Sequence, residues 1–236
     1  MKDYSVEVIE VIQRTPTAAS IRMDRPDGFE YDPGQWAQFS LEVNDGLETR
    51  PLSFSSSPTE GFIEFTKGIT RSAFSRAVQE CEPGDTIHLK GPAGVLTYKG
   101  GDPKVTFMAG GIGITPLRSI LKYLTDTGDA GLKTLLYASR NPEETAFLDE
   151  IKQWKSTDPN FTVVQAYEQP PEGWSGPVGF ITNEMIADNI PDMGEQRFFV
   201  SGPPAMVGCV MDCFIDLKIP KERVQLEELT GYEGMV

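Results

Sequence analysis

Residues 107–116 read Phe107-Met108-Ala109-Gly110-Gly111-Ile112-Gly113-Ile114-Thr115-Pro116. An apolar run gives way to glycines and then to Thr-Pro. This predicts a buried strand, a tight turn and a helix with Thr115 as N-cap and Pro116 at its first position. Leu117, Ile120, Leu121 and Leu124 follow at helical spacing. Glycines let a backbone approach a phosphate closely, and the free N–H groups of a helix start attract an anion. The stretch is not the dinucleotide fingerprint G-x-G-x-x-G, because Pro116 stands where the third glycine would be.

Downstream, strands and helices alternate. Strands are expected at Val105–Ala109, Thr134–Ala138, Thr162–Ala166 and Arg197–Ser201. Helices are expected from Pro116, near Glu143–Trp154, near Asn183–Asp188 and from Pro204 to about Leu217. That alternation means βαβ units on a parallel sheet. Upstream the period is two. Val6 and Val8, Ala19-Ile21-Met23, Ala37-Phe39-Leu41, Ile63-Phe65 and Ile87-Leu89 each alternate with polar neighbours, between turns such as Asp32-Pro33-Gly34 and Pro83-Gly84-Asp85. This reads as an antiparallel barrel or sandwich, interrupted by one helix that Ser72 caps and in which Ala73, Phe74, Ala77, Val78 and Cys81 share a face. The expected organisation is two domains, 1–100 and 101–236.

Composition narrows the function. The 236 residues hold 21 Lys+Arg against 35 Asp+Glu, a net charge of -14. A nucleic-acid binder needs a basic stripe, and anionic lipid also repels such a chain. With 39% hydrophobic and 10% aromatic residues the chain is folded rather than disordered. No run approaches the length of a membrane span and the start carries no apolar signal region, so a cytoplasmic protein without membrane insertion is expected. Cys81, Cys209 and Cys213 form no disulfide framework and no four-cysteine iron–sulfur ligand set. The single histidine, His88, lies between Ile87 and Leu89 on an outward strand face, and no metal site is expected. Trp36, Trp154 and Trp174 read as packing or turn residues, and Met206 and Met211 as core.

Three further stretches resemble anion or ring seats. Arg50-Pro51-Leu52-Ser53 joins a forked cation to a hydroxyl three residues on. Lys67-Gly68-Ile69-Thr70-Arg71-Ser72 leads into a helix start. Phe198-Phe199-Val200-Ser201-Gly202-Pro203-Pro204 repeats the strand–turn–helix pattern at the edge where open parallel sheets bind ligands.

Taken in order, these motifs resemble the ferredoxin–NADP reductase superfamily over nearly the whole chain. Further markers are Pro33-Gly34-Gln35, Gly91-Pro92-Ala93-Gly94, Tyr137-Ala138-Ser139-Arg140 and Glu227. The resemblance implies an antiparallel flavin-binding β-barrel domain followed by an α/β parallel-sheet nucleotide-binding domain, with the active site between them. It implies a seat for FAD, in preference to FMN, made by Arg50, Pro51, Leu52 and Ser53 together with Thr66, Lys67, Gly68, Thr70, Arg71 and Ser72. Gly110, Gly111, Gly113, Thr115 and Pro116 would hold NADPH or NADH, with Gly202 and Pro203 lining the other side of its ring. Ser139 and Arg140 would meet the adenine ribose, where arginine and the absence of an acid favour NADPH. Ser53, Ser201 and Glu227 would form the reacting centre.

Departures from the family pattern are Leu52, where an aromatic ring usually stacks on the flavin, and Glu227-Glu228-Leu229, which lacks the usual aromatic. Phe54 and Tyr232 are the candidate replacements, and Ser201 stands in place of a common cysteine. The implied activity is a flavin-dependent NAD(P)H oxidoreductase that passes electrons to a separate one-electron acceptor, such as a ferredoxin or an oxygenase component. The alternatives are a diffusible NAD(P)H:flavin reductase, or an electron-transfer subunit of a larger redox complex. The oligomeric state stays open, and an acidic acceptor would need a local cluster of basic residues.

Overall fold

The computed structural model describes residues 1–44, 46–190 and 192–229. In its first part β1 (Lys2–Thr15), β2 (Ala18–Asp24), β3 (Trp36–Val43), β4 (Gly46–Ser53), β5 (Phe62–Gly68) and β6 (Thr86–Ala93) form one antiparallel sheet, ordered β4-β3-β6-β1-β2-β5. The alternating apolar positions turn to a common core, with Phe39, Phe54 and Phe65 at its centre. A bridge between Phe54 and Phe65 draws the end of β4 against β5, so the sheet curls toward closure. The helix α1 (Ala73–Glu80) starts as expected: the Ser72 hydroxyl accepts from the Ser75 N–H at 3.1 Å, and Phe74 and Val78 enter the same core.

The second part is a parallel sheet, ordered β11-β10-β7-β8-β9, from β7 (Lys104–Gly110), β8 (Leu132–Ser139), β9 (Phe161–Tyr167), β10 (Arg197–Gly202) and β11 (Val224–Glu228). Among the described residues there are five α-helices, and four of them cover this sheet. α2 (Ile114–Asp126) and α3 (Leu148–Thr157) pack on the face shown by Val105, Phe107 and Ala109. α4 (Asn183–Asn189) and α5 (Pro204–Asp216) pack on the face shown by Met108, Phe198 and Val200. Burial on both faces is why these strands read as continuous apolar runs. Leu96 and Tyr98, before the expected boundary, pack into the α2–α3 core.

Two local expectations need correction. Thr115 is not the N-cap: a 3₁₀ turn at Gly111–Gly113 runs straight into α2, so Gly113 caps it and Thr115 and Pro116 lie in the first turn. Proline is tolerated there because first-turn N–H groups have no intrahelical acceptor. The helix expected near Glu143–Trp154 is a 3₁₀ turn at Pro142–Glu144 and then α3, divided by Phe147 in the left-handed region at φ 60°. β4 and β11 are edge strands: β4 is exposed along most of its length, and β11 half-buries the polar Gln225 and Glu227 while exposing the apolar Leu226. His88 does lie on the exposed face, paired with Ser5 at 3.2 Å. Among the described residues there is no acid–histidine–cysteine cluster suited to a metal, and no helix is long and apolar enough to cross a membrane.

Candidate functional site

A cleft of about 620 Å³ lies where the two sheets meet. The end of β4 supplies Arg50, Pro51, Leu52 and Ser53 to its wall, and β5 with the following loop supplies Thr66, Lys67, Thr70 and Ser72. From the second part come Ile112 and Thr115 of the glycine turn, and Glu227, Glu228 and Leu229 of β11 and its end.

Two cations and a helix start stand on one side. Arg50 is exposed, with its guanidinium donating to Glu48 at 2.7 Å and to the Thr49 carbonyl at 2.9 Å. Pro51 breaks no pairing because β4 is an edge strand. Lys67 is buried and donates to the Gly68 carbonyl at 2.8 Å. Burial, and secondarily the Arg50 charge, lower its ammonium to about 8. At the start of α1 the Thr70, Ser72 and Ser75 hydroxyls bond one another at 3.0 Å. Arg71 is exposed outside the cleft wall, its carbonyl accepting from Arg76. The Thr66 hydroxyl turns inward instead, in a chain with Ser20 at 2.7 Å and Ser55 at 2.8 Å.

At the centre of the cleft the Ser53 hydroxyl donates to the Glu227 carboxylate. Burial raises the Glu227 carboxyl above its ordinary value, with the Ser53 hydrogen bond opposing the shift. β11 reaches this place by pairing in parallel with β10, which sets Glu227 opposite Ser201.

The remaining glycine-turn residues lie at the crest of the parallel sheet, back to back with the Ser201–Pro203 turn. A Cβ on Gly113 would meet the Ser201 carbonyl oxygen at 2.2 Å, and one on Gly202 would lie 3.3 Å from the Gly110 nitrogen. Only glycine permits the approach at Gly113, while at Gly202 a side chain would crowd its neighbours. Gly111 differs: the space at its Cβ position is open, and its φ of +52° exposes bare backbone. The Ser201 hydroxyl is buried and, among the described residues, has no hydrogen-bond partner. Ser139 is also buried, with its hydroxyl bonded to Thr145 at 2.7 Å and to Gln165 at 3.1 Å, whereas Arg140 is exposed at the end of β8.

These features fit a flavin and a nicotinamide nucleotide. Arg50, Lys67 and the α1 start suit a diphosphate; Leu52, Ile112 and Leu229 give apolar walls for a planar ring; and the Ser201 hydroxyl is a buried polar group still to be satisfied. Of the two candidate replacements for a stacking ring, Phe54 is excluded. Its ring is fully buried in the barrel core, 4.4 Å from Tyr31. Tyr232 lies outside the described residues. Trp36 lines the cleft instead, together with Gln38. Both alternate out of phase with the core residues Ala37 and Phe39, so the strand period already placed them on the opposite face. By the same period Leu229 shares a face with Glu227.

A model of the oxidoreductase FAD-binding domain matches residues 3–98, and a model of the oxidoreductase NAD-binding domain matches residues 107–212. The chain belongs to the ferredoxin–NADP reductase superfamily. It combines an FAD-binding and an NAD-binding domain of the oxidoreductase type. The reductase component of propane 2-monooxygenase from Rhodococcus jostii (strain RHA1) is 27% identical over 98% of this chain. Ferredoxin–NADP reductase B from Sorangium cellulosum (strain So ce56) is 26% identical over 95% of this chain and 96% of its own length. The chain spans 65% of the former, a little under two thirds. Its fold is similar to the FAD/NAD-binding domain of nitric oxide dioxygenase from Vibrio cholerae O1 biovar El Tor. That likeness has a TM-score of 0.87 at 22% identity, covering 95% of this chain and 98% of that one.

Proposed function

We propose that this chain is a two-part reductase, divided near residue 100, that takes electrons from NADPH or NADH and hands them to a separate redox protein. A ferredoxin or an oxygenase component is the acceptor class the relatives suggest. The observation that carries the reading is the cleft itself, whose walls come from both sheets and meet at Ser53 and Glu227. When bound, FAD supplies the conversion of a two-electron hydride donor into a one-electron source. In this reading Arg50, Lys67 and the Thr70–Ser72 helix start grip its diphosphate, while Leu52, Trp36 and Ile112 bound its ring and exclude water. Gly110–Gly113 seat the diphosphate of the nicotinamide nucleotide, and Gly202, Pro203 and the unsatisfied Ser201 hydroxyl face its ring. Thr115 donates to the Ile112 carbonyl at 2.8 Å and so holds the turn in shape. The Ser53–Glu227 pair holds a proton at the Ser53 oxygen, and burial makes the neighbouring carboxylate a readier proton acceptor. Arg140 favours the extra phosphate of NADPH.

The test is direct. The purified protein should carry, or take up, a yellow chromophore, and anaerobic NADPH or NADH should bleach it. A chain that binds FAD but is bleached by neither nucleotide contradicts the reading. One observation favours a second reading, a diffusible flavin reductase: Leu52 stands where a stacking ring would hold the flavin. Flavin lost on gel filtration, with saturable turnover of added flavin, would establish it.

A further inference from the structure

We propose that Arg118, which touches neither nucleotide seat, is the positioning residue that fixes the glycine turn against the flavin half of the cleft. The inference rests on the electron-transfer reading above. α2 continues directly from the Gly111–Gly113 turn, so whatever holds its first two turns also sets where that turn points. Three of its residues reach across to the first sheet. Arg118 donates to the Ser55 carbonyl at 3.0 Å and Ser119 to the Ser56 carbonyl at 2.6 Å, while the Thr115 hydroxyl, whose proton goes to the Ile112 carbonyl, lies 3.4 Å from the Thr66 carbonyl. Ser55 and Ser56 follow Ser53, so the segment they anchor is the one that delivers Ser53 to the cleft.

Arg118 is the only charged member of this set and is 4% exposed. It spends its guanidinium fully. Nη1 and Nη2 reach the Glu60 carboxylate of the first part at 2.5 and 3.3 Å. Nε and Nη2 reach the Glu150 carboxylate of α3 at 3.1 and 2.6 Å, and Nη1 holds the Ser55 carbonyl. A second arginine repeats the crossing: Arg14 of β1 pairs with buried Glu64 at 2.9 Å and with Glu150 at 3.6 Å, its guanidinium over the Phe147 ring. With Arg22, which pairs with Glu64 at 3.0 Å and with Glu10 at 2.9 Å, the cluster sets three arginines among four carboxylates. Buried ion clusters add little net stability over apolar packing, and their best-attested use is to enforce one register. Here that register is the distance and angle between two platforms that must hold two rings face to face. A misplacement of about 1 Å in such geometry costs about a hundredfold in rate. Lysine cannot substitute, because a single ammonium does not span three acceptors in the plane of a fork.

The test uses the full chain with Arg118→Lys, Arg118→Met and the milder Glu60→Gln, which cuts one cross-sheet carboxylate charge and leaves Arg118 in place. Two readouts are taken: amide hydrogen exchange over residues 53–57 and 113–119, and the limiting rate of flavin reduction beside the Kd for flavin and for NADP+. We expect exchange to quicken by about tenfold in those two segments, and the limiting rate to fall about ten- to a hundredfold, with both Kd values held within about twofold. Arg118→Lys, which keeps the charge, should not restore the rate. Unchanged exchange, or a normal limiting rate in Arg118→Lys, overturns the proposal. If Arg118→Met fails to fold, Glu60→Gln decides: a wild-type rate and wild-type exchange there also overturn it. If the wild-type chain itself is reduced by neither nucleotide, the electron-transfer reading fails, while the exchange arm still reports whether Arg118 locks the two segments.

Discussion

The Ser53 hydroxyl and the Glu227 carboxylate, 174 residues apart in sequence, are hydrogen-bonded across the cleft. The bond joins the edge strand of the antiparallel sheet to the edge strand of the parallel one. Each half of the molecule therefore contributes one member of the central pair, and neither half alone contains the site.

Glu227→Gln separates the charge of that pair from its shape. The folded protein holds the Glu227 proton more tightly than the unfolded chain, whose value is near 4.5. Ionising it therefore costs stability, and by linkage that cost is absent below pH 4.5 and complete once the folded carboxyl has ionised. The glutamine variant should melt above wild type near pH 7, and the difference should close as the pH falls through 4.5. Its limiting rate of nucleotide oxidation should drop about a hundredfold, as for loss of a positioned proton carrier.

Lys67→Met tests the buried cation. Its ammonium is lowered from 10.5 to about 8, first by burial and then by Arg50, so holding the charge costs on the order of 3 kcal/mol. Below pH 8 the lysine is charged in both states and the variant should be the more stable in the absence of flavin. Between pH 8 and 10.5 the advantage should vanish as the amine becomes neutral. Flavin affinity, followed by fluorescence titration, should fall about tenfold or more with the lost charge-assisted contact.

Gly111→Ala and Gly113→Ala should fail differently. At Gly113 an added methyl meets backbone of the Ser201–Gly202 turn, and the overpacking should cost about 1–3 kcal/mol in thermal unfolding. At Gly111 the space is open and the φ of +52° is the obstacle, at about 1–2 kcal/mol. Only the Gly111 variant should remain well packed yet bind NADP+ weakly, since the methyl enters the face left bare for phosphate.

Arg140→Ala should raise KM for NADPH more than KM for NADH, with kcat little changed. Equal rises in both would place the arginine away from the extra phosphate.

Much of this was legible before any coordinates. Period-two alternation located β1, β2, β3, β5 and β6, and the strand–helix rhythm located the parallel sheet. β4 was silent because most of it is exposed, and β11 because the short strand half-buries polar Gln225 and Glu227 and exposes Leu226, the reverse of the usual pattern. The glycine turn announced itself, but its helix start was off by two residues because Gly113, without a capping side chain, does the work expected of Thr115. Trp36 was readable in phase yet looked like packing. Arg118 was not readable at all. Between Leu117 and Ser119 a charged residue reads as solvent-facing, and only the arrival of Glu60 and Ser55 from the other sheet makes it buried.

The opposition of Ser201 and Glu227 across a parallel rung has an evolutionary edge. β11 is five residues long and lies at the margin of its sheet. Its alignment is pinned by the Leu229 N–H on the Gly202 carbonyl, and by the Gln225 side chain on the Thr97 N–H, both at about 3 Å. Inserting or deleting one residue in the connection after α5 would turn Glu227 away from Ser53 and present a neighbour of the wrong parity. That connection buries Ile219, packs Leu217 on the same core and holds Lys218 at a φ of 57°, so it should tolerate exchanges at the exposed Lys221 and Glu222 and changes of length hardly at all.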